Sequence, residues 1–291
     1  MNKSKKLQDL NLIDSFLFSA STENPKNAEI IAKLIIERAT GRKVKEISVV
    51  QEKSLVGLDV YYHGIRMDLY VTEDESDSIV RVYDIEPNKY GIAELPRRSR
   101  FSQALTDAKL LNAGEAYEKL PEFISIWILT DDPFGKNQML YIVKNCVEGF
   151  SDIVYNDGVK KLFLYVGGEL GGSESLKDLL HYFSKSDKMN VVDAGIEQLH
   201  TIVENVKNNR KVGERYMTLQ EMINYEKAEA REEALQEGRE EGREAARQEN
   251  ILTSIKICKN IGASDEQIIQ NIMEEYKLSE EDANTYLKKC N

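Results

Sequence analysis

Two short stretches decide how this chain is read: Arg66-Met67-Asp68, closing one alternating run, and Asp84-Ile85-Glu86-Pro87-Asn88, within the next. In an extended chain, side chains at i, i+2 and i+4 share a face. Asp84, Glu86 and Asn88 therefore line up on one side of a strand spanning 79–88, and Asp68 can sit opposite them if 58–71 is the neighbouring strand. Carboxylates gathered on adjacent strands repel one another unless a cation lies between them. The spacing thus raises a metal site as the first functional expectation, and a sheet built from these strands as the first structural one.

At 291 residues, the chain is long enough for one full α/β core with an appendage. Charged residues make up 31% of it, and no run approaches the roughly 20 apolar residues of a membrane span. The basic start Met1-Asn2-Lys3-Ser4-Lys5-Lys6 has no apolar stretch after it, so no signal peptide is expected. Cys146, Cys258 and Cys290 are scattered and odd in number. They fit neither a disulfide framework nor zinc spacing, and a reducing cytoplasm is the simplest expectation. The net charge of −11 argues against a bulk polyelectrolyte binder, since nucleic-acid affinity comes largely from phosphate neutralisation. The acid is uneven, however. Residues 214–250 hold eleven Glu against six Lys plus Arg, whereas Arg97-Arg98-Ser99-Arg100 is a local basic strip able to meet phosphates.

Outward from the acidic strands, residues 12–40 read as helical, with Asp14 as a cap, Asn24-Pro25 as a start, and Gly41 as a stop. Residues 44–50 are rich in strand formers. Residues 55–73 suggest a hairpin turning at His63-Gly64, with Ile65, Met67, Leu69 and Val71 on its apolar face. Pro96 precedes a helix over 97–112 that places Phe101, Ala104, Leu105, Ala108 and Leu111 on one side. Residues 123–129 are an apolar run of the kind buried on both faces, and 140–147 and 161–166 read as further strands. Asp131-Asp132-Pro133-Phe134-Gly135 and Asn156-Asp157-Gly158 are turns. Helices follow over 173–183 and 192–209. Residues 219–250 then change to Glu, Ala and Arg, with Glu237-Gly238-Arg239-Glu240 repeated directly as Glu241-Gly242-Arg243-Glu244. Each Gly costs a helix about 1 kcal/mol against Ala, so a marginal exposed arm is expected there. Ser264 with Gln267, and Ser279 ahead of three acids, open the last helices. The expected division is 1–185 as the main domain, 186–213 as a helical segment packing on it or leaving it, 214–250 as the arm and 251–291 as a small helical end.

The order helix, three-strand meander, helix, buried strand is that of the PD-(D/E)XK nuclease core (αβββαβ, a mixed sheet flanked by helices). Arg66-Met67-Asp68, Tyr83-Asp84-Ile85-Glu86, Leu95-Pro96-Arg97-Arg98-Ser99-Arg100-Phe101, Asp131 to Gly135 and Tyr155-Asn156-Asp157-Gly158 together resemble the Rpn-type recombination-promoting nucleases, also described as PD-(D/E)XK nuclease family transposases. The Glu-Gly-Arg repeat is similar to their tails, and the resemblance covers about residues 10–250. It implies an Mg²⁺- or Mn²⁺-dependent endonuclease, a hydrolase of DNA phosphodiesters linked to recombination or mobile DNA. By this match Asp68 takes the first metal-ligand position and Glu86 the acid of the (D/E)XK element, with Asp84 of suitable parity to join them. Asn88 falls where the superfamily commonly has Lys and this family often Gln. An Asn can only hydrogen-bond, with shorter reach.

Two carboxylates suffice to hold Mg²⁺ with water and phosphate oxygens in its other positions. Arg97, Arg98 and Arg100 are the expected phosphate contacts, and Gln103, one turn on, is placed to orient the nucleophile. The resemblance offers Glu29 or Glu37 on the first helix as an added ligand, against the default of a solvated helix surface. The alternative expectation is a nuclease fold that has lost catalysis through Asn88 and keeps DNA or protein binding. A third is an interaction protein whose helical arm forms a homo-oligomer. The partners expected are therefore DNA and a second copy, with no membrane.

Overall fold

The computed structural model describes residues 5–55, 64–76, 78–88 and 92–290. Its elements run α1 (Ser15–Thr22), α2 (Pro25–Thr40), β1 (Ile47–Leu55), β2 (Ile65–Glu75), β3 (Ser78–Asn88), α3 (Leu95–Leu110), β4 (Glu122–Leu129), β5 (Leu140–Val143), β6 (Cys146–Val147), β7 (Phe150–Val154), β8 (Val159–Tyr165), α4 (Glu174–Ser184), α5 (Ala194–Lys207), α6 (Arg210–Asn260), α7 (Asp265–Tyr276) and α8 (Glu280–Lys289). The protein is α/β. Six strands form one mixed sheet in the order β1-β2-β3-β4-β8-β5, flanked by helices. β1, β2 and β3 are successive antiparallel neighbours, whereas β3, β4 and β8 run parallel. No helix among the described residues is long and apolar enough to cross a membrane. The chain divides into two compact units, Met1–Met217 and Thr218–Asn291.

In the first unit, strand alternation sorts side chains between two helical layers. Tyr83 and Ile85 of β3, Ile124, Ile126 and Ile128 of β4, and Leu162 and Leu164 of β8 enter the main core with α1, α2, α4 and α5. α2 is framed as its sequence requires. Asn24 accepts the Lys26 and Asn27 backbone N–H groups, Pro25 needs no partner for a missing N–H, and Gly41 takes the left-handed φ of 68° that ends the helix. Asp14 stands at the start of α1, but its side chain accepts the N–H of Asn11 and does not cap the helix.

The opposite sheet face is covered by α3, and here the hydrophobic pattern misled. The helix buries Leu95, Ser99, Ser102, Leu105 and Thr106. Phe101 is 42% exposed, and Ala104 and Ala108 are also exposed. The inward stripe is partly polar, and one of its residues, Ser102, meets a carboxylate of β3, as described below. A second correction concerns the first hairpin. Leu55 pairs with Ile65, so the partner of β2 is residues 47–55, not a strand ending at His63. His63 itself lies outside the described residues. The β6–β7 hairpin, interposed where one strand over 140–147 was expected, is a further difference.

In the second unit, α6 continues as helix through Gly238 and Gly242. Ile251 and Ile255 pack with Ile268, Ile272, Ala283 and Leu287 of α7 and α8 in a small separate core. Ser264 and Gln267 form the expected capping box.

Candidate active site

β3 and β4 run parallel, with Asp84 beside Ser125 and Glu86 beside Trp127. Odd residues of β3 point into the main core, which sends Asp84 and Glu86 to the α3 side. A cleft of about 1100 Å³ opens there, towards the carboxyl ends of β3 and β4, where open α/β sheets commonly bind ligands. Arg66, Asp68, Asp84, Glu86, Pro87, Arg97, Arg98, Phe101, Ser102 and Trp127 all contribute to its lining.

Asp68 arrives from the antiparallel neighbour. The ladder brings Leu69 opposite Ile85 and Tyr70 opposite Asp84. One step further, the Asp68 backbone N–H donates to Glu86 Oε1 at 3.0 Å, so a side-chain carboxylate takes a donor that a backbone carbonyl would otherwise take. Pro87 follows directly and has no N–H to offer β2. The strand nevertheless continues along β4, with Pro87 beside Ile128 and Asn88 beside Leu129. Pro87 therefore does not break β3 on its parallel side. The side chain of Asn88 lies outside the described residues.

Asp84 is 1% exposed and Glu86 5%, while Asp68 is partly buried. Burial raises all three carboxyls above their ordinary range, Asp84 to about 6 and Glu86 well up, the latter helped by the charges of Asp84 and Asp68. Arg98 opposes this at each of the three. Its Nη2 donates to Glu86 Oε2 at 3.2 Å, and its guanidinium lies 5.3 Å from the centre of the Trp127 ring. Ser102, from the polar stripe of α3, donates to Asp84 Oδ2 at 2.6 Å. Asp84 Oδ1 is buried with no hydrogen-bond partner, as are Ser125 Oγ and Trp127 Nε1 nearby in the sheet. Glu52, at a φ of 49° in β1, adds a further negative charge that raises Asp68.

The sequence-based candidates divide accordingly. Asp68, Asp84 and Glu86 converge in one cleft, and Arg97 and Arg98 line it. Arg100 is exposed on α3 and is not part of that lining. Gln103 also lies outside it, and its amide donates to Asp107 at 3.4 Å. Glu29 and Glu37 belong to α2, on the far side of the sheet, and pair with Lys33 and Lys43. Asp132 serves its turn, accepting from the Phe134, Gly135 and Asn137 backbones and from the Tyr141 hydroxyl. Sequence reasoning quoted Arg66 and Phe101 within motifs without giving them a role at the site, and did not single out Ser102 or Trp127. The only signal for Ser102 was the helical spacing Ser99, Ser102, Thr106, which the apolar residues between them concealed.

Among the described residues, no three His, Cys, Asp or Glu side chains stand in metal-holding geometry as now placed. Glu86 is engaged by Arg98 and the Asp68 N–H, and one oxygen of Asp84 by Ser102. The donor set still suits a hard divalent cation: three carboxyls, one with a buried oxygen lacking any partner, whose ionised forms burial disfavours and a positive charge would stabilise. Comparisons with family models, with curated proteins and with solved structures each give no match.

Proposed function

We propose that the chain is a metal-dependent nuclease of the PD-(D/E)XK type, hydrolysing DNA phosphodiesters in a role linked to recombination or mobile DNA. The observation that carries the proposal is the convergence of Asp68, Asp84 and Glu86 at the carboxyl ends of parallel strands, in a cleft whose rim is basic and aromatic. Asp68 and Glu86, joined by Asp84, would hold Mg²⁺ or Mn²⁺. Such an ion supplies a water of lowered pKa and stabilises negative charge on the phosphoryl oxygens.

The remaining work falls to side chains of this protein. Arg98 and Arg97, at the first turn of α3, orient a phosphate at the cleft. Ser102 fixes the rotation of the Asp84 carboxyl, leaving its other oxygen directed by that bond. Phe101 offers an exposed ring at the rim on which a base can stack. Asn88, rather than Lys, in the last position of β3 favours one other reading: a cleft that binds DNA or protein without cutting it.

A nicking assay on supercoiled plasmid separates the two. Cleavage with Mg²⁺ or Mn²⁺, abolished in both Asp68→Ala and Glu86→Ala, is the expected result. Wild-type cleavage that both variants retain removes the active-site assignment, and retarded but uncut DNA transfers the proposal to the binding role.

A further inference from the structure

We propose that Arg98 is the built-in counterion of the cleft: it holds Glu86 while no divalent cation is bound, releases it when one binds, and turns to a substrate phosphate. This makes Arg98 a positioning residue, and it rests on the nuclease reading above. Three buried or half-buried carboxylates in one cleft need compensating charge; Arg98 lines the same cleft, contacts Glu86 directly, and its charge acts on all three. Its hold on Glu86 is a single contact of 3.2 Å, longer than a charge-assisted bond normally runs. Elsewhere in the same chain, Arg38 grips Asp193 through two contacts of 2.8 and 2.7 Å, and Arg42 grips Glu73 through two of 2.9 and 2.6 Å. Those pairs close on both carboxylate oxygens, whereas Arg98 meets one oxygen of Glu86.

Its setting supports exchange. The Arg98 side chain is 41% exposed, against 6% for Glu86, so the cation can swing outward while the carboxylate cannot follow. The Trp127 ring beneath the guanidinium gives it a second surface to rest on. Arg98 also occupies the first turn of α3, where a positive charge opposes the helix dipole. Helix stability therefore does not explain a cation at this position, and the carboxylates opposite do. Competition between Arg98 and a divalent cation for one carboxylate is a coupling between two binding events, and such couplings are commonly 5- to 150-fold.

The test is Mn²⁺ binding by electron paramagnetic resonance, on the full chain without DNA, for wild type, Arg98→Gln and Arg98→Lys. Arg98→Gln is expected to bind Mn²⁺ about tenfold tighter than wild type. Arg98→Lys, whose ammonium lacks the fork and stacks less well, should fall between the two. Without metal, Arg98→Gln should melt below wild type, and Mn²⁺ should restore it. Equal or weaker Mn²⁺ binding by Arg98→Gln, in protein whose circular dichroism matches wild type, overturns the counterion role while leaving the metal site standing. If Arg98→Gln does not fold, Arg98→Lys decides alone: tighter binding supports the exchange, and unchanged or weaker binding overturns it. Absence of Mn²⁺ binding in every form overturns both this inference and the metal-dependent reading beneath it.

Discussion

Asp84→Asn should stabilise the metal-free protein at alkaline pH while disabling the cleft. Asp84 is 1% exposed, and burial lifts its pKa from 3.8 to about 6. A native-state pKa above the unfolded value means that ionisation is costlier in the fold. The penalty is absent below pH 3.8, grows as pH rises, and is complete above about 6. At about 1.4 kcal/mol per pKa unit it reaches about 3 kcal/mol at pH 8. Asn removes that charge and keeps an oxygen to accept from Ser102. Its amide N–H₂ then replaces an oxygen that has no partner, at a cost of about 1–3 kcal/mol. The net gain at pH 8 is about 1 kcal/mol, worth about 2–4 °C in melting temperature for a domain of this size. The assay is thermal unfolding in chelator at pH 8, 6 and 4. The variant should melt above wild type at pH 8, converge with it as pH falls through 6, and melt below it at pH 4. Saturating Mg²⁺ should reverse the order at pH 8, because only wild type gains fully from binding. A variant that melts equally far below wild type at pH 8 and pH 4 would refute the claim that Asp84 is held ionised at a cost.

Three other outcomes follow from neighbouring contacts. Ser102→Ala removes the bond that restrains the Asp84 pKa, so it should lose about 1–3 kcal/mol in denaturant titrations, more at pH 8 than at pH 4. Phe101→Ala should leave stability within about 0.5 kcal/mol, because the ring is 42% exposed, yet weaken DNA binding in a gel-shift assay by about 1–3 kcal/mol. Glu73→Gln removes the charge that Arg42 pairs with from its half-exposed side and one of the two oxygens that accept from Arg42 and the Tyr83 hydroxyl, and should cost about 1–3 kcal/mol at pH 7. The Glu73 pKa is lowered, chiefly by Arg42, so wild type should lose that advantage as pH falls below the ordinary Glu value of 4.5.

What was legible beforehand followed local chemistry. Asn24-Pro25 and Gly41 fix both ends of α2 through their own bonds and dihedrals, and Ser264 with Gln267 fixes the start of α7. The period of two placed Asp84 and Glu86 on one face, and pairing of β2 with β3 was enough to bring Asp68 to them. What failed depended on tertiary partners. The hairpin register shifted because β1 is longer than its strand-forming core suggested, running to Leu55, which pairs with Ile65. α3 was turned the wrong way because Phe101, Ala104 and Ala108 carry the apolar period, whereas Ser99, Ser102 and Thr106 are buried, Ser102 on the Asp84 carboxylate and the other two on carbonyls of their own helix. Gln103 went to Asp107, an i, i+4 neighbour on its own helix, which spacing towards the sheet did not reveal. Trp127 and Ser125 were read only as part of a buried strand. Their place beside Glu86 and Asp84 depends on the parallel register of β3 with β4, which no local pattern encodes.

The most direct measurement is anomalous diffraction from crystals of the whole chain soaked in Mn²⁺. A peak between the Asp68 and Glu86 carboxylates, about 2.0–2.3 Å from an oxygen of each, with Arg98 turned away from Glu86, is the predicted result. Full soaking with no peak in that cleft, and Arg98 still bonded to Glu86, would contradict it.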